Sequence, residues 1–138
     1  MIETYRGVVH PWLCDVMGHL TTRHYTAMFD DASYHLAHAC GLSVGPASEI
    51  GFVDVQLTMK FAAELRVGSL FYIRSGFLKL GTKSFTTFHQ MYNCDDDSLA
   101  ASLEEISVFF DLKDRKSISV PEDFRAKAMA LLIDMKAT

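Results

Sequence analysis

One segment in the first third of the chain carries a strong helical repeat of apolar residues. From about Thr22 onward, apolar side chains recur at spacings of three and four, as on one buried helical face: Tyr25, Met28, Phe29, Ala32, Leu36 and Ala39. Thr21 or Thr22 can act as the N-cap, and Gly41 can end the helix in a left-handed conformation. The sequence therefore predicts a long helix with one side covered by another part of the chain.

The segments around this helix have the composition and two-residue repeat of β-strands. Five strands are predicted, at 4–10, 53–61, 68–80, 82–94 and 98–112. In the second of them, apolar and polar residues alternate, with one face formed by Val53, Val55, Leu57, Met59 and Phe61. This pattern predicts a half-buried antiparallel strand, and the short connections between the last three strands predict hairpins.

A second amphipathic helix is predicted over 121–135. Pro121 suits a first helical turn, and one side is lined by Phe124, Ala128, Leu131 and Leu132. The order of elements favours an α+β architecture in which the long helix packs on one antiparallel sheet. With 138 residues and neither repeat nor linker, the chain is expected to form a single domain, 1–138.

Charge and composition exclude several classes of protein. The net charge of −4 argues against nucleic acid as a partner, and no apolar run reaches the roughly 18 residues that span a membrane. Cys14, Cys40 and Cys94 are widely spaced and form no CxxC pair, which argues against a disulfide framework or a zinc site. A cytoplasmic protein is therefore expected.

The segment "LCDVMGHLTTRHY" places a carboxylate, a glycine and an imidazole just before the long helix. The start of a helix exposes backbone N–H groups and the positive end of its dipole, which can stabilise a carbonyl oxygen that becomes negative. Asp15 could act there as a base or nucleophile, Gly18 lets the backbone approach closely, and His19 could bind substrate or orient water. The alternative is that Asp15 only caps a turn, although its apolar neighbours, Trp12 to Leu20, make an idle carboxylate costly.

The stretch "CDVMGHLTTRHYTAMFDDA" resembles the Asp-x-x-Gly-His motif, with a Tyr ten positions after the Asp, of hotdog-fold acyl-CoA thioesterases related to the 4-hydroxybenzoyl-CoA thioesterase family. The segments "AELRVGSLFYIRSGFLKLGTKSFTTFHQMY" and "LAASLEEISVFFDLKDRKSISVP" resemble the betainyl-CoA thioesterase branch. The resemblance implies a hotdog fold, with a long central helix wrapped by a five-stranded antiparallel sheet and followed by a C-terminal helix. It also implies sheet-edge pairing of subunits into a homodimer or homotetramer, with active sites at their interface.

The same resemblance assigns roles to residues of this chain. The catalytic acid falls on Asp15, and substrate-binding positions fall on Gly18, His19, Thr22 and Tyr25. Many members have Asn at one or both of the positions that Thr21 and Thr22 occupy here. Glu64 matches the betainyl-CoA branch and is expected to contact substrate. The implied reaction is hydrolysis of an acyl-CoA to free acid and CoA, with no cofactor and no metal.

The sequence leaves two other functions open. The chain could bind acyl-CoA without turning it over, or act as a hotdog dehydratase on hydroxyacyl thioesters through a His and a carboxylate.

His35 and His38 lie three apart on one helical face, but no third metal ligand has suitable spacing. His89 is expected to be a hydrogen-bonded core or interface residue, with a substrate role as the alternative. Glu104 shares the parity of Ile106 and Val108 and is expected on the buried side of its strand.

Overall fold

The chain places one long helix across an antiparallel sheet, as the sequence predicts. The computed structural model describes residues 1–134, so residues 135–138 of the predicted domain lie outside the described part. Its elements are β1 (Ile2–Val8), α1 (Thr22–Ala39), β2 (Ile50–Phe61), β3 (Leu70–Leu80), β4 (Ser84–Asn93), β5 (Leu99–Asp111), β6 (Lys116–Ser117) and α2 (Glu122–Met129).

The sheet has the strand order β1-β3-β4-β5-β2, and all neighbouring strands are antiparallel. The predicted hairpins join β3 to β4 and β4 to β5. The two-residue strand β6, which the sequence did not predict, pairs with the end of β5. The chain that follows α1 therefore passes to the far side of β5, where β2 forms one edge of the sheet.

α1 begins and ends where local sequence predicts. Thr21 is the extended N-cap residue, although its side chain makes no capping hydrogen bond. Gly41 has a φ of 83°, and its N–H donates to the His38 carbonyl at 2.9 Å while the Leu42 N–H donates to the Ala37 carbonyl at 3.0 Å. These two bonds form a Schellman motif, which requires the positive φ that glycine adopts readily. Among the helices within residues 1–134, none is long and apolar enough to cross a membrane.

Two apolar clusters fill the space between α1 and the sheet. The cluster under the first half of α1 includes Tyr25, Phe29, Ile73, Met91 and Leu103. The cluster under the second half is mainly aromatic, with Phe77, Phe85, Phe109 and Phe124 in tilted or edge-to-face contacts. The buried face of α1 is thus the face that its periodicity predicts as far as Leu36, whereas Ala39 is exposed and Ala37 and Cys40 are buried instead.

β2 differs from its prediction as a regular half-buried strand. Its register with β5 shifts between Asp54 and Gln56, so Val55 is the extra residue of a β-bulge. Phe52, which precedes the bulge, and Met59, which follows it, both pack against the core. An even-numbered and an odd-numbered position thus face the same side, so the five apolar residues that alternate from Val53 to Phe61 do not share one face. Most of β2 is also exposed in the single chain, because no strand lies on its outer edge.

The C-terminal helix is shorter than the predicted 121–135. It ends at Met129, Leu131 and Leu132 lie beyond it, and residue 135 is outside the described part. The Phe77 N–H donates to the Leu131 carbonyl at 3.0 Å, and the Ile133 N–H donates to the Phe77 carbonyl at 2.7 Å. Because β1 pairs with β3 only as far as Ser75, the end of β3 has a free edge, and the chain leaves the helix to bond to it.

Candidate active site

Asp15 lies in a tight turn between a short 3-10 segment, Pro11–Leu13, and α1. Its carboxylate Oδ1 accepts hydrogen bonds from the N–H groups of Met17, at 2.9 Å, and His19, at 3.2 Å. The Asp15 N–H donates to the His19 carbonyl at 2.9 Å, and Gly18 adopts a φ of 78°. Asp15 therefore stabilises the turn through its Oδ1, whereas its Oδ2 accepts neither of these two hydrogen bonds.

The end of this turn is joined to the segment that follows β2. The Leu20 N–H donates to the Leu65 carbonyl at 2.9 Å, the Val67 N–H donates to the Gly18 carbonyl at 3.2 Å, and His19 stands opposite Arg66. Leu20 and Leu65 are both buried, which anchors the two segments to the core. The backbone on both sides of His19 is therefore held in place.

A cavity of about 310 Å³ opens where these segments meet the first turn of α1. Its lining consists of His19, Leu20, Thr22, Tyr25, Phe61, Ala62, Ala63 and Glu64. Four of the residues predicted to bind substrate therefore meet in one cavity, although they come from three parts of the chain. Asp15 and Gly18 lie in the adjoining turn and are not part of this lining, and Asp15 is linked to it through its bond to the His19 N–H.

The His19 and Glu64 side chains meet within this lining. The His19 Nε2 lies 3.2 Å from the Glu64 Oε2, and the Arg66 guanidinium lies 3.6 Å from the same oxygen. The His19 side chain is 27% exposed, whereas those of Glu64 and Arg66 are 58% and 74% exposed. The sequence placed Glu64 at the site but gave no sign that it would meet His19.

Tyr25 forms part of the inner wall of the cavity. It is buried, and its ring meets that of Phe61 edge to face with centroids 5.1 Å apart. Burial raises the pKa of the Tyr25 hydroxyl, while a backbone hydrogen bond from Leu65 acts in the opposite direction. Tyr25 is a neutral phenol at pH 7, as an unburied tyrosine would be, and it has a hydroxyl hydrogen that it can donate.

The expectation that Asp15 lies among apolar side chains is wrong for the single chain. Trp12, Val16 and Met17 are exposed, and only Leu20 of the neighbouring apolar residues is buried. A tight turn directs consecutive side chains outward on both sides, so neighbours in sequence do not enclose the carboxylate. The case for Asp15 depends on its position beside the cavity and α1.

A second polar cluster lies buried under the middle of α1. The Ser33 hydroxyl donates to both carboxylate oxygens of Glu105 at 3.1 Å and lies 3.2 Å from the His89 Nε2, while the His89 Nδ1 lies 2.6 Å from the Ser75 hydroxyl. The prediction of a hydrogen-bonded core histidine is thus confirmed for His89. The prediction for Glu104 is wrong, because Glu104 is exposed and Glu105 is the buried acid.

The titration of this second cluster is strongly shifted by burial. Burial raises the pKa of Glu105 to about 7, with further contributions from the Asp54 and Asp30 carboxylates. Burial also lowers the pKa of His89 to about 4. Both strand faces around residue 104 carry apolar residues, so sequence parity alone could not tell which glutamate is buried.

His35 and His38, near the C-terminal end of α1, line a different cavity of about 440 Å³, which Tyr34 also lines. The His38 Nδ1 lies 3.5 Å from the Ser43 hydroxyl. Within residues 1–134, no three His, Cys, Asp or Glu side chains are grouped in a way that could hold a metal ion.

Sequence comparison places most of the chain in one protein family. The family model described as "Thioesterase-like superfamily" matches residues 9–128. This range includes the Asp15 turn, the residues that line the cavity and the buried polar cluster of His89 and Glu105. No curated protein matches the sequence.

Solved structures resemble the chain over nearly its whole length. The gentisyl-coenzyme A thioesterase BH1999 is 25% identical, with a TM-score of 0.76 over 89% of this chain and 97% of that one. The 1,4-dihydroxy-2-naphthoyl-CoA thioesterase Slr0204 from Synechocystis is 16% identical, with a TM-score of 0.81 and coverage of 92% and 95%. SAV2348 from Staphylococcus aureus, solved in complex with CoA, is 18% identical, with a TM-score of 0.85 and coverage of 98% and 90%. The expected hotdog fold is confirmed.

Proposed function

Because the chain belongs to the thioesterase-like superfamily, we propose that it is an acyl-CoA thioesterase that hydrolyses a thioester to free acid and CoA. The observation that carries this proposal is the cavity at the start of α1, where His19, Thr22, Tyr25 and Glu64 meet beside the Asp15 turn. A cavity of about 310 Å³ suits an acyl group better than the whole of CoA, which would extend over the surface.

Asp15 is the proposed catalytic residue. In one route its carboxylate removes a proton from water, the water oxygen bonds to the carbonyl carbon, and the C–S bond breaks to release the CoA thiolate. In the other, Asp15 attacks the carbonyl carbon itself, the thiolate leaves, and water then hydrolyses the mixed anhydride. In both routes the N–H groups of the first turn of α1 stabilise the negative carbonyl oxygen. Gly18, His19, Thr22 and Tyr25 are proposed to bind the substrate around this carbonyl.

The acyl group is proposed to be small. A cationic group, as in the betainyl-CoA branch that the sequence resembles, would find the Glu64 carboxylate and the aromatic rings of Tyr25 and Phe61 in the same cavity. Aromatic acyl groups form the second class to test, because BH1999 and Slr0204 are named for such substrates. CoA as the carrier is supported by the complex of SAV2348.

The functional unit is proposed to be a homodimer, or a homotetramer built from two such dimers. β2 forms an edge of the sheet, and Val53, Val55, Leu57 and Phe61 on it are exposed in the single chain. An apolar edge strand is a hazard for aggregation unless another strand pairs with it. Phe61 also lines the cavity, so a partner at this edge would lie beside the proposed site.

The cellular setting is proposed to be the cytoplasm. Cys14, Cys40 and Cys94 are all free thiols in the structure. Free thiols persist in a reducing compartment, which agrees with the absence of any disulfide among these three cysteines.

A panel of acyl-CoAs with detection of the released thiol tests the proposal. We expect turnover of at least one member, and a fall of kcat by about 10²–10⁴-fold in Asp15→Asn, since the variant keeps the shape but loses the base or nucleophile. Asp114→Asn, in the exposed turn after the opposite end of β5, makes the same chemical change away from the cavity and should leave kcat unchanged. Binding of acyl-CoA without turnover by the unaltered protein would identify a non-catalytic acyl-CoA-binding protein instead.

One observation favours a second candidate function, dehydration of a hydroxyacyl thioester. This reaction needs a histidine and a carboxylate at the substrate, and His19 and Glu64 meet in the cavity lining. The absorbance of an enoyl product from a 3-hydroxyacyl-CoA, without release of thiol, would identify this activity.

A further inference from the structure

The contact between His19 and Glu64 is built into the backbone of the site. Hydrogen bonds from Leu20 to Leu65 and from Val67 to Gly18 join the two segments on either side of the pair. Leu20 and Leu65 are buried, so neither segment can move without disturbing the core. The 3.2 Å approach of the His19 Nε2 to the Glu64 Oε2 is therefore a consequence of how the two segments are held.

Stability does not account for this pair. With side-chain exposures of 27% and 58%, water and salt screen the interaction, and such partly exposed pairs contribute about 0–1 kcal/mol. The Arg66 guanidinium, which is more exposed than the imidazole, lies near the same carboxylate oxygen at 3.6 Å. Glu64 nevertheless approaches the imidazole more closely than the guanidinium.

His19 is also the residue that contacts Asp15. Its N–H donates to the Asp15 Oδ1 at 3.2 Å, and its carbonyl accepts the Asp15 N–H at 2.9 Å. The backbone of His19 thus holds the proposed catalytic carboxylate, while its side chain lies against the Glu64 carboxylate. The two acidic residues are connected through one histidine.

We propose that Glu64 is a positioning residue that acts on the reaction through His19. Its Oε2 lies 3.2 Å from Nε2, and a carboxylate oxygen at this distance repels a ring lone pair and attracts a ring hydrogen, which favours the Nε2–H tautomer of the neutral ring and leaves Nδ1 as a hydrogen-bond acceptor for the attacking water or the substrate. In the general-base route the water gives one proton to Asp15 and directs its other hydrogen to Nδ1, so His19 neither gains nor loses a proton. The Oε1 of Glu64 stays available for an acyl group. This inference rests on the proposed function.

The tautomer can be measured without any substrate. The nitrogen NMR shifts of a histidine-labelled protein, recorded at a pH where the imidazole is neutral, distinguish Nε2–H from Nδ1–H, and the His19→Gln variant identifies the His19 signals. We expect the Nε2–H form to dominate in the unaltered protein and to lose its preference in Glu64→Ala. Glu64→Gln keeps an acceptor oxygen and should lie between the two.

Arg66→Ala is the matched control. It removes the other group that contacts the Glu64 carboxylate but leaves the contact with His19 in place. Its tautomer ratio should equal that of the unaltered protein. An unchanged ratio in Glu64→Ala, or an equal change in Arg66→Ala, would overturn the proposal.

Kinetics on the acyl-CoA that the panel identifies give the second measurement. Loss of a group that orients a site residue reduces activity by about 10–100-fold, so Glu64→Ala should lower kcat by this factor. KM should change little for an uncharged acyl group and rise for a cationic one, which would also lose its contact with the carboxylate. A rise in KM with kcat unchanged would make Glu64 a substrate contact alone and overturn the positioning role. Should the unaltered protein hydrolyse no acyl-CoA, the proposed function fails, and the tautomer ratio still supports or overturns the role of Glu64.

Discussion

Glu105 and His89 are buried on the helix-facing side of the sheet, and burial shifts the pKa of each in a way that makes stability depend on pH. The pKa of Glu105 rises from 4.5 to about 7, so between these values the native state binds a proton that the unfolded chain lacks. The free energy of unfolding therefore falls as the pH rises from about 4.5 to about 7. The pKa of His89 falls from 6.5 to about 4, so its contribution rises with pH over about 4 to 6.5. The two effects oppose each other.

Removal of one of these groups should expose the effect of the other. In Glu105→Gln the contribution of Glu105, which decreases as the pH rises, is absent, and only that of His89 remains. We therefore expect the free energy of unfolding of this variant to rise by about 2 kcal/mol between about pH 4.5 and 6.5, where that of the unaltered protein changes little. Urea denaturation at a series of pH values and one protein concentration measures this. Glu104→Gln, at the adjacent exposed position, is the control and should keep the profile of the unaltered protein. Identical profiles for both variants would contradict the shifted pKa of Glu105.

Among the elements, the end of the chain depends on close contact with β3. An added Cβ at Gly76 would lie 2.8 Å from the Leu131 carbonyl oxygen and 2.9 Å from the Ile133 side chain. Both belong to the segment that follows α2 and bonds to Phe77. The docking of this segment, and with it the position of α2, therefore requires a residue without a side chain at position 76.

Gly76→Ala should destabilise the protein by about 1–3 kcal/mol, because the backbone carbonyl of Leu131 must shift to admit the methyl group. The free energy of unfolding at neutral pH measures this effect. Gly45→Ala adds the same methyl group where no atom lies within 4 Å, and it should change stability by less than about 0.5 kcal/mol. Equal effects of the two substitutions would show that the contact between the C-terminal segment and β3 contributes nothing.

For the molecule as a whole, the open question is what covers the outer edge of β2. Val53 and Val55 are exposed there in the single chain, and the proposed dimer would pair this edge with that of a second copy. Val53→Lys combined with Val55→Lys places charges on the edge, which oppose strand pairing. We expect this variant to be monomeric by size-exclusion chromatography with light scattering, with unchanged circular dichroism.

Met129→Lys on α2 is the control for this experiment, because Met129 is another exposed apolar residue away from the edge. It should keep the association state of the unaltered protein. A double-lysine variant that remains as large as the unaltered protein would show that β2 is not the interface.

The sequence by itself determined the features that depend on local chemistry. The spacing of apolar residues predicted α1, the glycine at position 41 predicted its end, and short polar turns predicted the hairpins of β3, β4 and β5. Each of these depends on neighbours within a few residues along the chain, and such preferences act before any tertiary contact forms. The motif around Asp15 also named three of the eight residues that line the cavity, His19, Thr22 and Tyr25.

Tertiary structure alone decided the features that depend on which segments lie side by side. The bulge at Val55 follows from pairing with β5, the burial of Glu105 follows from the face of β5 that α1 covers, and the early end of α2 follows from the free edge of β3. The contact of His19 with Glu64 arises in the same way, because the two residues are 45 positions apart and meet only when their segments pair. Strand register and burial are set by distant partners, and an alternating pattern of residues is compatible with more than one choice of partner.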